Sequence, residues 1–354
     1  MAVNNVRMDS HKLIYHIDRV AKWKKGEIIY PIEVEIGLSG ACNHRCIFCA
    51  LDYVGYKTKF MDTEVILKNL EILSKKGLKS VIFSGEGEPL LNKDAPYIIR
   101  KTKEFGIDAA MATNAVLFTK EKAEECLSSL TWIRFSVAAI TNETYKKIHR
   151  AKEGDLQKVL TNLSDAVEIK RRDKLKTTLG VQMLLLPENQ DEVELMAKTV
   201  KEIGIDYLAV KPFSQHPSSL VKRQVDYSES AEIEKSIRKY EDEEFKIYFR
   251  RQAIENISHE KTYDKCYALP FMTHINAEGK IFPCVAFVDN ESLCYGNIYE
   301  NTFDEIWESD HTKKIMETFQ GEFLKKYCRK ACRLDEMNKY LNELKNPGAH
   351  VNFI

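Results

Sequence analysis

The chain lacks a net charge: 53 lysines and arginines balance 53 aspartates and glutamates over 354 residues. A broad cationic face for nucleic acid or an anionic bilayer is therefore not expected. The basic run Lys170, Arg171, Arg172, Lys174 and Lys176 reads as the solvated end of a helix. Long apolar stretches are missing too. None approaches the ~18 residues that cross a membrane, and the opening MAVNNVRMDSHKLIYHIDRVAKWKK holds no segment of signal-peptide length. No tandem repeat or low-complexity tract is visible. A chain that is 44% hydrophobic and 30% charged has enough apolar residues for a full core. These features lead us to expect a soluble, cytoplasmic protein. In a reducing compartment its nine cysteines are not a disulfide framework; they point to metal, a reactive thiol or burial.

From residue 29 to about 214 strand and helix patterns alternate. Ile32, Val34 and Ile36 alternate with Glu33 and Glu35 in a first strand. A helix follows, with Asp62 as N-cap, Ile66, Leu70 and Leu73 on one face and Gly77 as stop. Further strands are expected over 79–85, 107–114, 132–139, 179–186 and 207–214, with helices between them. Six such units imply parallel strands joined by right-handed crossovers, as a doubly wound sheet or an incomplete barrel. Residues 215–262 read as a charged connector with a helix near 229–243 and a short strand, FKIYFRR. HINAEGKIFPCVAFV reads as two strands around Ala277-Glu278-Gly279, and Phe303 to Phe319 as one helix. The expected division is an N-terminal extension (1–28), a strand–helix domain (29–215), a helical connector (216–262) and a small cysteine-rich domain (263–354).

The densest chemistry is ACNHRCIFCA. Cys42-x3-Cys46-x2-Cys49 follows the first strand, at the strand end where ligands collect in α/β proteins. Clustered thiolates suit zinc, copper(I) or iron–sulfur clusters. His44 would be the fourth ligand of a zinc knuckle, but no second ligand pair lies near. A [4Fe–4S] cube held by three cysteines keeps one iron open.

CNHRCIFC resembles the C-x3-C-x2-C motif of the radical S-adenosylmethionine (SAM) superfamily, including the aromatic Phe48 before the last cysteine. The resemblance implies a partial (β/α)6 TIM-like barrel and a cluster whose open iron binds SAM. It also implies reductive cleavage to a 5′-deoxyadenosyl radical that removes hydrogen from a substrate. SGEGEPL resembles the family's glycine-rich motif, with Gly85, Gly87, Glu88 and Pro89 in register and Glu86 where glycine is more usual. Glu88 is expected to hold the SAM ammonium. Thr113-Asn114-Ala115 resembles Thr-Asn-Gly. Ser136, Arg150 and Gln182 are carried over as SAM-contacting candidates. An external electron donor such as flavodoxin or ferredoxin is implied.

Cys266, Cys284, Cys294, Cys328 and Cys332 fall in the last 89 residues. Cys266-x12-Gly279-x4-Cys284 and the following YGNIYENTFDEIWES resemble the SPASM and Twitch extensions of that superfamily. The resemblance implies one auxiliary [4Fe–4S] cluster, ligated by Cys266, Cys284, Cys328 and Cys332. A zinc ribbon is the plainer alternative. Cys294 is left as a buried thiol, a substitute ligand or a hydrogen-atom donor, and Cys126 as core. Lys211 and Ser214 end the sixth strand and His216 lies just beyond. With Glu33 and Glu35 they are candidates to hold a sugar or polyol, or to clamp a phosphate. Many peptide-modifying relatives carry an added N-terminal module, and only 41 residues precede Cys42 here. The expected substrate is therefore a small polar molecule undergoing dehydrogenation or epimerisation, with no nucleic-acid or membrane partner. A ribosomal-peptide maturase and a non-catalytic zinc module are the alternatives.

Overall fold

The structure, a computed structural model, describes residues 10–353, so the first nine residues of the expected N-terminal extension lie outside it. Its strands are β1 (Glu33–Ile36), β2 (Ser80–Phe83), β3 (Asp108–Thr113), β4 (Leu130–Ser136) and β5 (Thr178–Leu185). β6 (Tyr207–Pro212), β7 (Lys246–Phe249), β8 (Met272–Ile275), β9 (Lys280–Phe282) and β10 (Gly296–Asn297) follow. They form one sheet in the order β10-β9-β8-β1-β2-β3-β4-β5-β6-β7. β1 to β7 are parallel neighbours in chain order, as alternation with helices requires.

Each helix between β1 and β6 buries one stripe of side chains. Asp62 caps the helix Thr63–Lys75 by accepting from the Val65 N–H at 3.0 Å, and Ile66, Leu70 and Leu73 are fully buried. The helical stretch before β5 is two helices, Asn142–His149 and Asp155–Arg172. Arg150 and Gly154, both at positive φ, turn the chain between them. The helix expected from Phe303 to Phe319 is broken as well. Ser309 is extended and its hydroxyl accepts from the Thr312 N–H, so it ends Phe303–Glu308 and caps Asp310–Thr318.

Residue alternation divides each strand between two faces. On β4, Ile133 and Phe135 are fully buried beneath the helices, whereas Trp132, Arg134 and Ser136 are partly exposed on the other face. Register carries that second face across the sheet. Ser136 lies beside Gln182, Arg134 beside Gly180, and Gly180 beside Tyr207. The sheet curls around this face: Arg134 on β4 feels the charge of Glu35 on β1, three strands away. The partly exposed face is thus the lumen of a partial barrel.

The C-terminal segment does not build a separate sheet. β8 lies parallel to β1, with His274 opposite Glu35, and β9 returns antiparallel through the Gly279 turn. Pairing between residues 33–36 and 272–275 leaves no local trace in the sequence. His274 is fully buried between two carboxylates, with Nδ1 3.8 Å from Glu35 and Nε2 3.4 Å from Glu86. Burial opposes its charge, but the two carboxylates outweigh burial and raise its pKa to about 9. Relative to an ordinary histidine, the resulting stabilisation is complete below about pH 6.5 and is lost as pH rises through about 9. The intact protein should lose on the order of 3 kcal/mol across that window. Thermal unfolding between pH 6 and 9.5 checks this, and His274→Gln should flatten the slope.

Candidate active site

The Cys42–Cys49 loop leaves the C-terminal end of β1 and is held from two sides. On one side, the carbonyls ending the helix Asn142–His149 accept from it: Arg45 N–H to His149 at 3.1 Å and Ile47 N–H to Ile148 at 2.9 Å. Helix-end carbonyls lack partners inside the helix, so the loop satisfies them. On the other side, the Glu88 N–H donates to the Ala41 carbonyl at 2.8 Å. Gly87 makes that approach possible. A Cβ there would lie 2.2 Å from the Ser39 oxygen and 2.3 Å from the Ala41 oxygen.

Cys42 and Cys49 stand close enough to Cys46 to bear on its ionisation. Burial first, and then neighbouring negative charge, pushes Cys42 up to about 12 and raises Cys46 and Cys49. Such thiols become thiolate ligands when a metal's charge offsets their burial. Among the described residues no three cysteine sulfurs lie within 4.8 Å of one another. Tetrahedral zinc, with Zn–S of ~2.3 Å, would hold them ~3.8 Å apart. The wider spread fits a cube, whose ligands sit on separate irons.

His44, Cys46 and His149 do bring ligand atoms within 4.8 Å. Hydrogen bonding argues against a metal there. His149 Nε2 accepts from the Ala138 N–H at 3.0 Å, so the proton of the neutral ring is on Nδ1, which points at Cys46 Sγ at 3.3 Å. Burial lowers the His149 pKa well below the usual value, consistent with that neutral form. His44 Nε2 faces the Asp155 carboxylate at 3.6 Å. Phe48 packs edge-on against His149, with ring centroids 5.4 Å apart.

Glu88 is buried and accepts three hydrogen bonds: Thr113 Oγ1 at 2.7 Å, Asn114 N–H at 2.8 Å and Leu90 N–H at 3.2 Å. A carboxylate offers about four acceptor sites, which leaves one for an ammonium. Asn114 donates to Asn43 at 2.7 Å and approaches Cys42 Sγ at 4.0 Å, tying β3 to the cysteine loop. Glu86, the departure from a glycine pattern, has a structural partner. Its Oε1 accepts from the Ala277 N–H at 2.7 Å, and Gly37 leaves room for it.

Cys266, Cys284, Cys328 and Cys332 form a second mutually interacting set. Burial first, with the other sulfurs, raises Cys266 and Cys284 to about 12 and moves Cys328 the same way. Cys294 stands outside this set. Its thiol donates to the Gly296 carbonyl at 3.4 Å and packs against the small apolar group of Leu51, Val54, Phe282 and Val288.

Ser136 and Gln182 face the lumen side by side, and Lys211 lies one lumen-facing position further along β6, opposite Leu184. Arg150 is exposed, one residue beyond the histidine that reaches Cys46. Gly85, at φ 141°, abuts His274. Glu33 and Glu35 are both engaged by Arg333, at 3.5 and 3.1 Å. His216 uses both ring nitrogens, accepting from the Ser218 N–H at 3.0 Å and donating to the Ala286 carbonyl at 2.8 Å. Sequence reading passed over His149 and Arg134. Their signals were a histidine preceding the carried arginine, and a lone arginine in the strand WIRFS.

A parallel partial barrel with three half-buried thiols at the mouth of β1 is an arrangement suited to an iron–sulfur cluster with one iron left open. The Radical SAM superfamily model matches residues 36–200, and the SPASM iron–sulfur cluster-binding domain model matches residues 266–333. The chain belongs to the radical SAM superfamily and carries a C-terminal SPASM-type domain, so it is an enzyme that binds SAM at a [4Fe–4S] cluster. The match to an iron–sulfur cluster-binding domain spans Cys266, Cys284, Cys328 and Cys332. Among curated proteins it is 26% identical to a probable GTP 3′,8-cyclase of Sulfurisphaera tokodaii, over 73% of this chain and 82% of that protein. A probable GTP 3′,8-cyclase of Saccharolobus solfataricus is 25% identical over 83% and 89% of the two chains. Among solved structures, Streptococcus suis SuiB bound to precursor peptide SuiA superposes with TM-score 0.67 at 19% identity, over 98% of this chain and 82% of that one. Native anSMEcpe with bound AdoMet gives 0.59 at 19% identity, over 86% and 88%. No helix among the described residues is long and apolar enough to cross a membrane.

Proposed function

We propose that the enzyme removes a hydrogen atom from a small polar substrate held in the barrel lumen and then oxidises it. Loaded with cluster and SAM, the first site supplies a hydrogen-atom acceptor, consuming one electron from a flavodoxin- or ferredoxin-type donor and leaving methionine and 5′-deoxyadenosine. The observation that carries the reading is the placement of Cys42, Cys46 and Cys49 against a lumen lined by Ser136, Gln182 and Lys211. Glu88 would offer its remaining acceptor site to the SAM ammonium. Loss of one C–H hydrogen leaves the substrate one electron short. The proton would go to solvent, and Cys266, Cys284, Cys328 and Cys332 would hold a cluster able to accept the second electron. Arg333, next to Cys332, reaches the lumen at Glu35.

Oxidation is preferred over epimerisation because Cys294, the candidate hydrogen donor, is tied to Gly296 within an apolar group. Cys294→Ala should therefore leave product stereochemistry unchanged. An inverted or missing product with 5′-deoxyadenosine still formed would favour epimerisation. The likeness to peptide-bound SuiB favours a second reading, a maturase acting on a peptide. Anaerobic protein with dithionite and SAM tests the common part. It should carry about eight irons per chain in two cubes and form 5′-deoxyadenosine. Colourless, zinc-only protein would refute it.

A further inference from the structure

Among the described residues, two cations of the barrel lumen stand without a carboxylate partner. Arg134, Lys211 and Arg250 come from β4, the end of β6 and the residue after β7. Arg329 and Arg333 enter from the C-terminal domain. These cations are mutually close: Lys211 feels all four guanidiniums. Among the described residues two carboxylates, Glu33 and Glu35, face them, and Arg333 pairs with both. Glu35 also shares its charge with His274 and accepts from Ser84. Arg329 and Arg333 flank Cys328 and Cys332 and feel the thiolates of Cys284 and Cys332, so they offset the charge of the auxiliary cluster.

Arg250 has an interaction of its own, which leaves Arg134 and Lys211. Arg134 Nε is buried without a hydrogen-bond partner, and its guanidinium lies over the Trp132 ring at 5.7 Å. No carboxylate within 4 Å pairs with either side chain among the described residues. Burial first, and then Arg134, Arg329, Arg250 and Arg333, pushes Lys211 down to about 7. Cations gathered this closely repel one another unless an anion joins them. The surrounding lumen face is partly exposed rather than packed, which leaves space for one.

Resting on the reading above, we infer that Arg134 and Lys211 form an oxyanion subsite, and that the substrate is a small molecule carrying a phosphate group. The guanidinium fork suits two phosphate oxygens and the ammonium acts as a point charge beside it. The subsite is reached from the lumen: Arg134 sits one lumen-facing position deeper on β4 than Ser136, on a row floored by Tyr207 over Gly180. A compact anionic group enters such a site more readily than a chain does. This would anchor one end of the substrate and leave its other end toward the cysteine loop.

The test is equilibrium binding of inorganic pyrophosphate to the anaerobic, cluster-loaded enzyme with SAM present, beside a glutamate-rich peptide. Wild type should bind pyrophosphate. Lys211→Met and Arg134→Gln should each weaken it at least ~10-fold, with iron content and visible spectrum retained, and Lys211→Arg should restore most of it. Near pH 7 binding should also take up a fraction of a proton, as the anion recharges Lys211 among Arg134, Arg250, Arg329, Arg333, Glu33 and Glu35. Absent pyrophosphate binding, equal affinity in the neutral variants, or binding of the peptide alone would overturn the inference. Binding is read without turnover, so a failure to form 5′-deoxyadenosine would strike the proposed reaction and not this subsite.

Discussion

Replacing Cys42, Cys46 or Cys49 singly with alanine is expected to abolish 5′-deoxyadenosine formation and to lower iron from about eight to about four atoms per chain. The three thiols are half-buried and mutually interacting, and their loop is fixed by backbone hydrogen bonds to both the Glu88 motif and the end of the helix Asn142–His149. Losing one leaves two ligands for a cube, and no neighbour replaces it. His149 offers an N–H to Cys46, and His44 faces Asp155. Cys126→Ala is the control. That thiol is wholly buried on its helix and donates to the Lys122 carbonyl at 3.2 Å, so its loss should leave the iron count unchanged. Iron assay and product chromatography on the same preparations read both halves.

Gly87→Ala is expected to be nearly as damaging, though glycine to alanine is a small change. The added methyl would meet two backbone oxygens at 2.2 and 2.3 Å, and neither belongs to a side chain that can swing away. Relief requires the cysteine loop to move off the Glu88 motif, breaking the Glu88–Ala41 hydrogen bond. Overpacking of this kind costs about 3 kcal/mol or more. SAM binding, measured by equilibrium dialysis, should fall below detection while the auxiliary iron remains. Gly106→Ala is the contrast: its φ of 75° strains the backbone, but nothing lies within 4 Å of the added carbon. It should cost only about 1 kcal/mol and leave SAM binding intact.

Much of the barrel was legible because its signals are local. Alternating strands, the Asp62 cap and the cysteine spacing each occupy a few residues. What escaped reading is long-range. FKIYFRR was visible as a strand, but not as the seventh parallel neighbour of β6. MTHI was visible as the start of a hairpin, but not as the strand that pairs with β1. Glu86 looked like a defect in a glycine motif until its partners, Ala277 and His274, arrived from far along the chain. His149 was hidden by its neighbour: attention fell on Arg150, which occupies the left-handed turn, while the histidine points inward. Arg134 had a period-two signal, yet only the curl of the sheet showed which other cations it joins.

The most direct test is a structure of the reduced-and-reloaded enzyme with SAM, read at the cube beside β1. Three irons should be bound by Cys42, Cys46 and Cys49, and the fourth by the amino and carboxylate groups of SAM, with Glu88 at the ammonium. A fourth iron bound by His44 or His149, or a lone zinc in place of the cube, would contradict the account.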